Sequence, residues 1–257
     1  MILDADTHIS PTAEDSMAIT SDELVRRMDR AGVDKALAWL RPPYLREIEE
    51  SNAYVYQATC QFPNRIIGFG WADPRLGVVQ ACDTVHRCVH EYGFSGVKLN
   101  GAQNSYYIDD PKISLPVIEE IAKMGKLLAF HVGTDAADAT HPFRVAKVAR
   151  MFPEVQILMV HMGGVAFADL SHAAIEMARE CPNLTLIGSS VRHVAVLSAI
   201  RELGAGRVCF GSDTPFALMH VEVSAYRALL ENEVSALEFE MVMGLNMMRL
   251  LGLTSDR

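Results

Sequence analysis

The chain has 257 residues, of which 50% are hydrophobic and 21% charged, and it carries a formal net charge of −9 with no basic cluster. Its length suits one α/β barrel domain spanning 1–257, and its composition is that of a folded globular protein. The acidic balance excludes a nucleic-acid face, which needs concentrated Lys and Arg, and leaves a small molecule as the expected partner.

The five cysteines, Cys60, Cys82, Cys88, Cys181 and Cys209, form no CxxC pair. They fit a reducing compartment, so a cytoplasmic location is expected. No basic segment leads into an apolar run at the start, and no stretch approaches the roughly 20 apolar residues of a membrane span. Neither secretion nor membrane insertion is expected.

Apolar, β-branched runs recur along the chain. The first, MILDADTHI, sets Asp4, Asp6 and His8 at alternate positions, which face one side of a strand. Thr20 and Glu23 then show capping-box spacing ahead of Leu24, Met28 and Ala31, with a stop at Gly32. KALAWL is followed by Arg41. RIIGFGW contains Trp71 and leads into an amphipathic segment from Val78 to Val89 that stops at Gly93. GVKLN carries Lys98 and runs into NGAQNSYYIDDP, Asn100 to Pro111, whose composition is that of a loop over an active face. LLAFHVG, VQILMVHMGG, LTLIGSS and RVCFGSD complete the series, with His131, His161, Arg192 and Asp213 in or just after them. The closing SALEFEMVMGLNMMRLLGL has a second capping box in Ser235 and Glu238 and reads as a core helix.

Eight runs alternating with helices force parallel pairing and predict a (β/α)8 TIM barrel. The competing open doubly wound sheet uses fewer strands and often a Gly-rich first turn, and DADTHIS contains no glycine. In a barrel, Asp6 and His8 at the first strand end, His131 at the fifth, His161 at the sixth and Asp213 at the eighth converge on one mouth. Each alone reads as a hydrogen-bonded core residue, cap or turn. Five together in otherwise apolar runs point to a gathered site, and histidine with carboxylate is what a divalent metal takes.

These blocks, DADTHI, GVKLN, LLAFHVG, ILMVHMGG, RVCFGSDTPF and GLNMMRLLGL, resemble in order and spacing the amidohydrolase-related branch of the metal-dependent amidohydrolase superfamily, over essentially the whole chain. The resemblance implies a barrel enzyme with one divalent metal at the C-terminal mouth of the strands. Asp6, His8, His131 and Asp213 would be its ligands and His161 the acid–base residue beside it. The chain departs from the commonest His-x-His of the first strand by having Asp6-Thr7-His8, a harder, anionic ligand. Zinc is the expected metal and manganese the alternative. Lys98 lies where other branches carry a carboxylated, metal-bridging lysine; the preferred reading is an ammonium paired with a carboxylate or with substrate.

Branch members include lactonases and other hydrolases, a hydratase and non-oxidative decarboxylases. Hydrolysis of a small, carboxylate-bearing lactone, ester or amide is the first expectation, because the loops are modest and no lid stands out to exclude water. There Asp213 would take a proton from the metal-bound water and His161 would serve the oxyanion or leaving group. The alternatives are decarboxylation of a small aromatic or related acid, and a non-catalytic ligand-binding barrel. Arg41 and Arg192 are candidates for holding a substrate carboxylate, and Asn100 for shaping the pocket. The partners expected are a small-molecule substrate and, in a homo-oligomer, copies of the chain itself.

Overall fold

The structure, a computed structural model, describes residues 1–11, 17–41, 47–164 and 170–253. Nine short strands follow in order: β1 (Leu3–Ile9), β2 (Lys35–Leu40), β3 (Ile66–Gly68), β4 (Gly70–Ala72), β5 (Gly96–Leu99), β6 (Leu127–His131), β7 (Ile157–Val160), β8 (Leu184–Ile187) and β9 (Val208–Cys209). All ladders are parallel, one joining β1-β2-β3 and one joining β4 through β9. β3 and β4 are the two halves of the predicted third strand, parted at Phe69, whose N–H donates to Ala38 O at 3.0 Å.

The ring closes between the segment after β9 and β1. Ala5 N donates to Phe210 O at 3.0 Å, Asp213 N to Asp6 O at 2.9 Å and His8 N to Thr214 O at 2.7 Å. The fold is the TIM barrel that the alternation predicts.

The helical layer comprises α1 (Ser21–Ala31), α2 (Ile48–Gln61), α3 (Val78–His86), α4 (Gly101–Asn104), α5 (Ser114–Lys123), α6 (Ala137–Thr140), α7 (Pro142–Met151), α8 (Ser171–Glu180), α9 (His193–Leu203), α10 (Met219–Leu230), α11 (Ala236–Glu240) and α12 (Asn246–Leu250). Sequence signals set several of the ends. Thr20 accepts from Glu23 N and Gly32 takes the left-handed conformation after α1. The Ser235/Glu238 capping box is complete at α11. The predicted final helix is broken by a π-type turn, Met241–Leu245, between α11 and α12.

Two apolar layers result. Ala36, Ala38, Val97, Leu99 and Phe130 face outward into the helix layer, whereas Leu3, Ala5, Leu37, Trp39, Phe69, Leu127, Ala129, Leu158, Val160, Ile187 and Cys209 fill the lumen with Met247 and Met248 of α12. On β5 the lumen positions are Gly96 and Lys98. A Cβ on Gly96 would stand 2.3 Å from the Phe69 ring, so the missing side chain is what lets that ring cross the lumen.

β1 does not keep the simple alternation. Asp4 pairs with Ala36 and Thr7 with Ala38, so three residues of β1 advance against two of β2. This bulge puts Asp4 in register with an outward-facing alanine and leaves Asp6 and His8 on the lumen side. Asp4 is therefore not a third member of the site: its Oδ1 accepts from Ser212 N at 2.9 Å and Asp6 N at 3.1 Å, holding the closing seam. Burial pushes its carboxyl up to about 7.

Candidate metal centre

Four buried side chains meet at the C-terminal mouth. Asp6 is 0% exposed, His8 2%, His161 3% and Asp213 8%. Asp6, His161 and Asp213 offer donor atoms all within 4.8 Å of one another. The His8 Nε2 lies 3.5 Å from Asp6 Oδ1 and 3.6 Å from Asp213 Oδ1. His161 and Asp213 both sit just past a strand with positive φ, 68° and 58°. Non-glycine residues rarely hold that conformation, and the turn carries each side chain into the mouth.

The hydrogen bonds fix the rings. His8 Nδ1 donates to Leu40 O at 2.8 Å, and Trp39 Nε1 donates to His8 Nε2 at 3.0 Å. His161 Nδ1 faces Ser189 O at 3.2 Å and Ser189 Oγ at 3.0 Å. The Ser189 hydroxyl itself donates to Asp6 Oδ2, and Ser190 Oγ to Asp213 Oδ2. The two serines end LTLIGSS, a strand end whose small hydroxyls look like ordinary turn residues in the sequence. Reading every strand end for polar atoms would have found them.

His131 stands apart. Its Nε2 donates to Asp135 at 3.0 and 3.1 Å, and its ring packs edge-on against His161 with centroids 4.8 Å apart. Asp135 is half-exposed and four residues downstream. Burial alone would raise its carboxyl, but the His131 hydrogen bond overrides that and lowers it.

Lys98 is 0% exposed. Its ammonium lies 3.7 Å from the Trp39 ring centroid, 5.4 Å from that of Trp71 and 3.9 Å from Asp6 Oδ1. This agrees with the reading of Lys98 as an ammonium paired with a carboxylate. Burial brings it down to about 8 against the pull of Asp6 and Asp213. Burial would raise Asp6, but Lys98 and the two histidines hold it well below the usual carboxylate range. Asp213 is pushed up to about 6 by burial and the Asp6 charge, and burial drops His161 to about 4.

Two atoms in this group lack hydrogen bonds although buried: Asp6 Oδ1 and Lys98 Nζ. Asp6 Oδ1 is the oxygen that faces His8 Nε2. An orphaned carboxylate oxygen about 3.5 Å from an imidazole nitrogen, which is itself that far from a second carboxylate, fits the donor spacing around a divalent ion with bonds of about 2.0–2.2 Å. The residues present therefore fit a metal.

The remaining predicted residues lie further out. Asn100 turns its side-chain oxygen to Ala102 N and Gln103 N and caps α4, so the predicted loop opens as a helical turn. Arg41 follows β2, its N–H on Ile9 O at 2.9 Å. Arg192 is exposed at the start of α9. Trp71 is buried, its indole N–H on Asn104 Oδ1. Among the described residues, no helix is long and apolar enough to cross a membrane.

The comparisons with known proteins bear on this geometry. The chain is 24% identical over 263 residues to the gamma-resorcylate decarboxylase of Polaromonas sp. (strain JS666), covering 76% of this chain and 77% of that protein. The solved 2,6-dihydroxybenzoate decarboxylase from Rhizobium has the same fold, with a TM-score of 0.78 at 18% identity over 98% of each chain. So does the 5-carboxyvanillate decarboxylase of Novosphingobium aromaticivorans, complexed with manganese and 4-hydroxy-3-methoxy-5-nitrobenzoic acid: TM-score 0.77, 16% identity, 98% of this chain and 96% of that one. A family model described as amidohydrolase matches residues 43–253, a stretch that begins after Asp6 and His8 and holds Lys98, His131, His161 and Asp213. On that span, from α2 to α12, the chain belongs to the amidohydrolase family.

Proposed function

We propose that the chain is a divalent-metal-dependent decarboxylase of a small aromatic acid. The observation that carries this reading is the burial of the whole cluster. The sequence alone points to hydrolysis first because no lid stands out, yet Asp6, His8, His161 and Asp213 are all at most 8% exposed. Loss of CO₂ and protonation at carbon are favoured where bulk water is kept from the reacting groups. The decarboxylase relatives support the same choice.

In this reading Asp6, His8 and Asp213 would hold the ion, His8 Nε2 giving up the hydrogen bond it accepts from Trp39. His131 would be the fourth ligand, its Nε2 leaving Asp135. The bound metal supplies Lewis acidity toward substrate oxygens. Two carboxylates among the donors, together with the manganese of the carboxyvanillate enzyme, support Mn²⁺ over the zinc expected first. His161 stands beside the ligands, with Nδ1 fixed on Ser189 and Nε2 as its nitrogen for proton traffic. Burial leaves this imidazole neutral with its proton on Nδ1 toward Ser189 O, so Nε2 would first take the proton of a ring hydroxyl of the bound acid and then return it to the ring carbon as the bond to the departing carboxylate breaks. Arg41 is the candidate for gripping that carboxylate, Arg192 for guarding the rim. The protein is expected to work in the cytoplasm as a barrel domain spanning 1–257.

The test is to load the protein with Mn²⁺, offer hydroxylated benzoic acids and neutral lactones, and follow CO₂ release and ring-opening in parallel. CO₂ from an acid sustains the reading. Lactone or amide cleavage with no CO₂ replaces it with hydrolysis, and ligand binding without uptake of metal replaces it with a binding barrel.

A further inference from the structure

The first-strand aspartate creates an electrostatic problem that the rest of the mouth has to answer. With a histidine at position 6 the metal would meet one carboxylate, that of Asp213. With Asp6 it meets two, which cancel a divalent charge and leave the centre neutral. A neutral centre has little hold on an anionic substrate.

Among the described residues Lys98 is a fully buried cation of the lumen, in register with Trp71 and Ala129. Its ammonium is 3.9 Å from the Asp6 oxygen that makes no hydrogen bond, and it makes none itself. A buried ammonium without a hydrogen bond is costly, and here part of the cost is offset by the face of Trp39 at 3.7 Å. Trp39 also donates its indole N–H to His8 Nε2, the nitrogen that faces Asp6 and Asp213, so the aromatic wall that seats the ammonium holds that nitrogen until an ion takes its place.

Resting on the metal reading above, we propose that Lys98 is the counter-charge of Asp6: it restores the positive charge that an aspartate at the first ligand position removes, and so reserves the loaded centre for an anionic ligand. Lys98 acts through the charge of the centre rather than as a ligand. Metal and anion affinity should therefore move in opposite directions when it is neutralised.

The probes are Mn²⁺ alone, then benzoate and the neutral benzamide on Mn²⁺-loaded protein, all by calorimetry. Lys98→Met is expected to bind Mn²⁺ no more weakly than the parent, to lose benzoate affinity by at least about tenfold and to leave benzamide unchanged. The double variant Asp6→His/Lys98→Met removes both buried charges and is the second probe should the single variant fail to fold. It is expected to regain benzoate binding to within about threefold of the parent, which repair of a merely structural loss would not do.

A parent that takes up no Mn²⁺ overturns the metal reading and this inference with it. A parent that takes up one Mn²⁺, with weaker Mn²⁺ binding in Lys98→Met or equal loss of benzoate and benzamide, overturns the counter-charge alone. So does a parent that prefers benzamide, or a second, CO₂-dependent Mn²⁺ per chain, which would make Lys98 a carboxylated ligand.

Discussion

The two ends of the barrel lumen are built from different materials. At the N-terminal end Leu3, Leu127, Leu158, Met247 and Met248 fill the space with apolar side chains. Toward the C-terminal end Asp6 and His8, three and five residues beyond Leu3, and His161, three beyond Leu158, are equally buried but polar, and with Lys98 they include two atoms that lack hydrogen bonds. The first end loses free energy only if a contact is removed. The second carries desolvated charge that the fold alone does not satisfy, so its residues are retained for a ligand rather than for stability.

The sharpest way to break this division is Asp6→Asn. It is expected to abolish Mn²⁺ uptake, read as metal per chain after gel filtration, and to lower the melting temperature of the metal-free protein, because it leaves the Lys98 ammonium buried without its counter-charge. Unchanged Mn²⁺ uptake would remove Asp6 from the ligand set. Next, His161→Ala is expected to keep the metal and lower turnover by about 10²–10⁴-fold. Metal loss instead would move His161 into the ligand set.

The apolar end should respond in the opposite sense. Met247→Ala is expected to cost about 2–5 kcal/mol in denaturant unfolding while leaving metal content and turnover per folded chain intact. A smaller effect belongs to the helix layer, where the buried Asp109 accepts from Arg144 at 2.7 Å and Lys147 at 2.8 Å. Burial would raise its carboxyl, but these partners outweigh that and lower it. A lowered folded value means that the pair stabilises the protein above the unfolded carboxylate pKa of about 3.9, and that this contribution is lost as pH falls through the folded value. Asp109→Asn is therefore expected to cost about 1.5–3 kcal/mol at pH 7, and progressively less as the pH falls through the folded value, measured by urea unfolding across that range.

The same contrast explains what could be read in the sequence. Parallel strands buried on both faces give continuous apolar runs, so seven of the eight predicted staves appear as single strands and the third appears in two pieces. The polar interruptions at their ends stand out against that background, and Asp6, His8, His161 and Asp213 come together. What could not be read depends on register or on partners distant in sequence. The bulge that separates Asp4 from Asp6 leaves no mark in DADTHIS. Asp135 claims His131, and Trp39 claims His8, through contacts that exist only once the barrel has closed. Asn100 looked like a pocket residue because a strand end is where both caps and ligands are found.

The bulge in β1 has a consequence for how this strand can change. One extra residue lets a single heptapeptide serve two addresses, with Asp4 turned to the closing seam and Asp6 to the mouth. A one-residue deletion between them would exchange the destinations of every side chain upstream without altering the composition of the strand. Length is therefore a sensitive variable here beside residue identity: the shortest possible deletion should turn the front of the strand inside out.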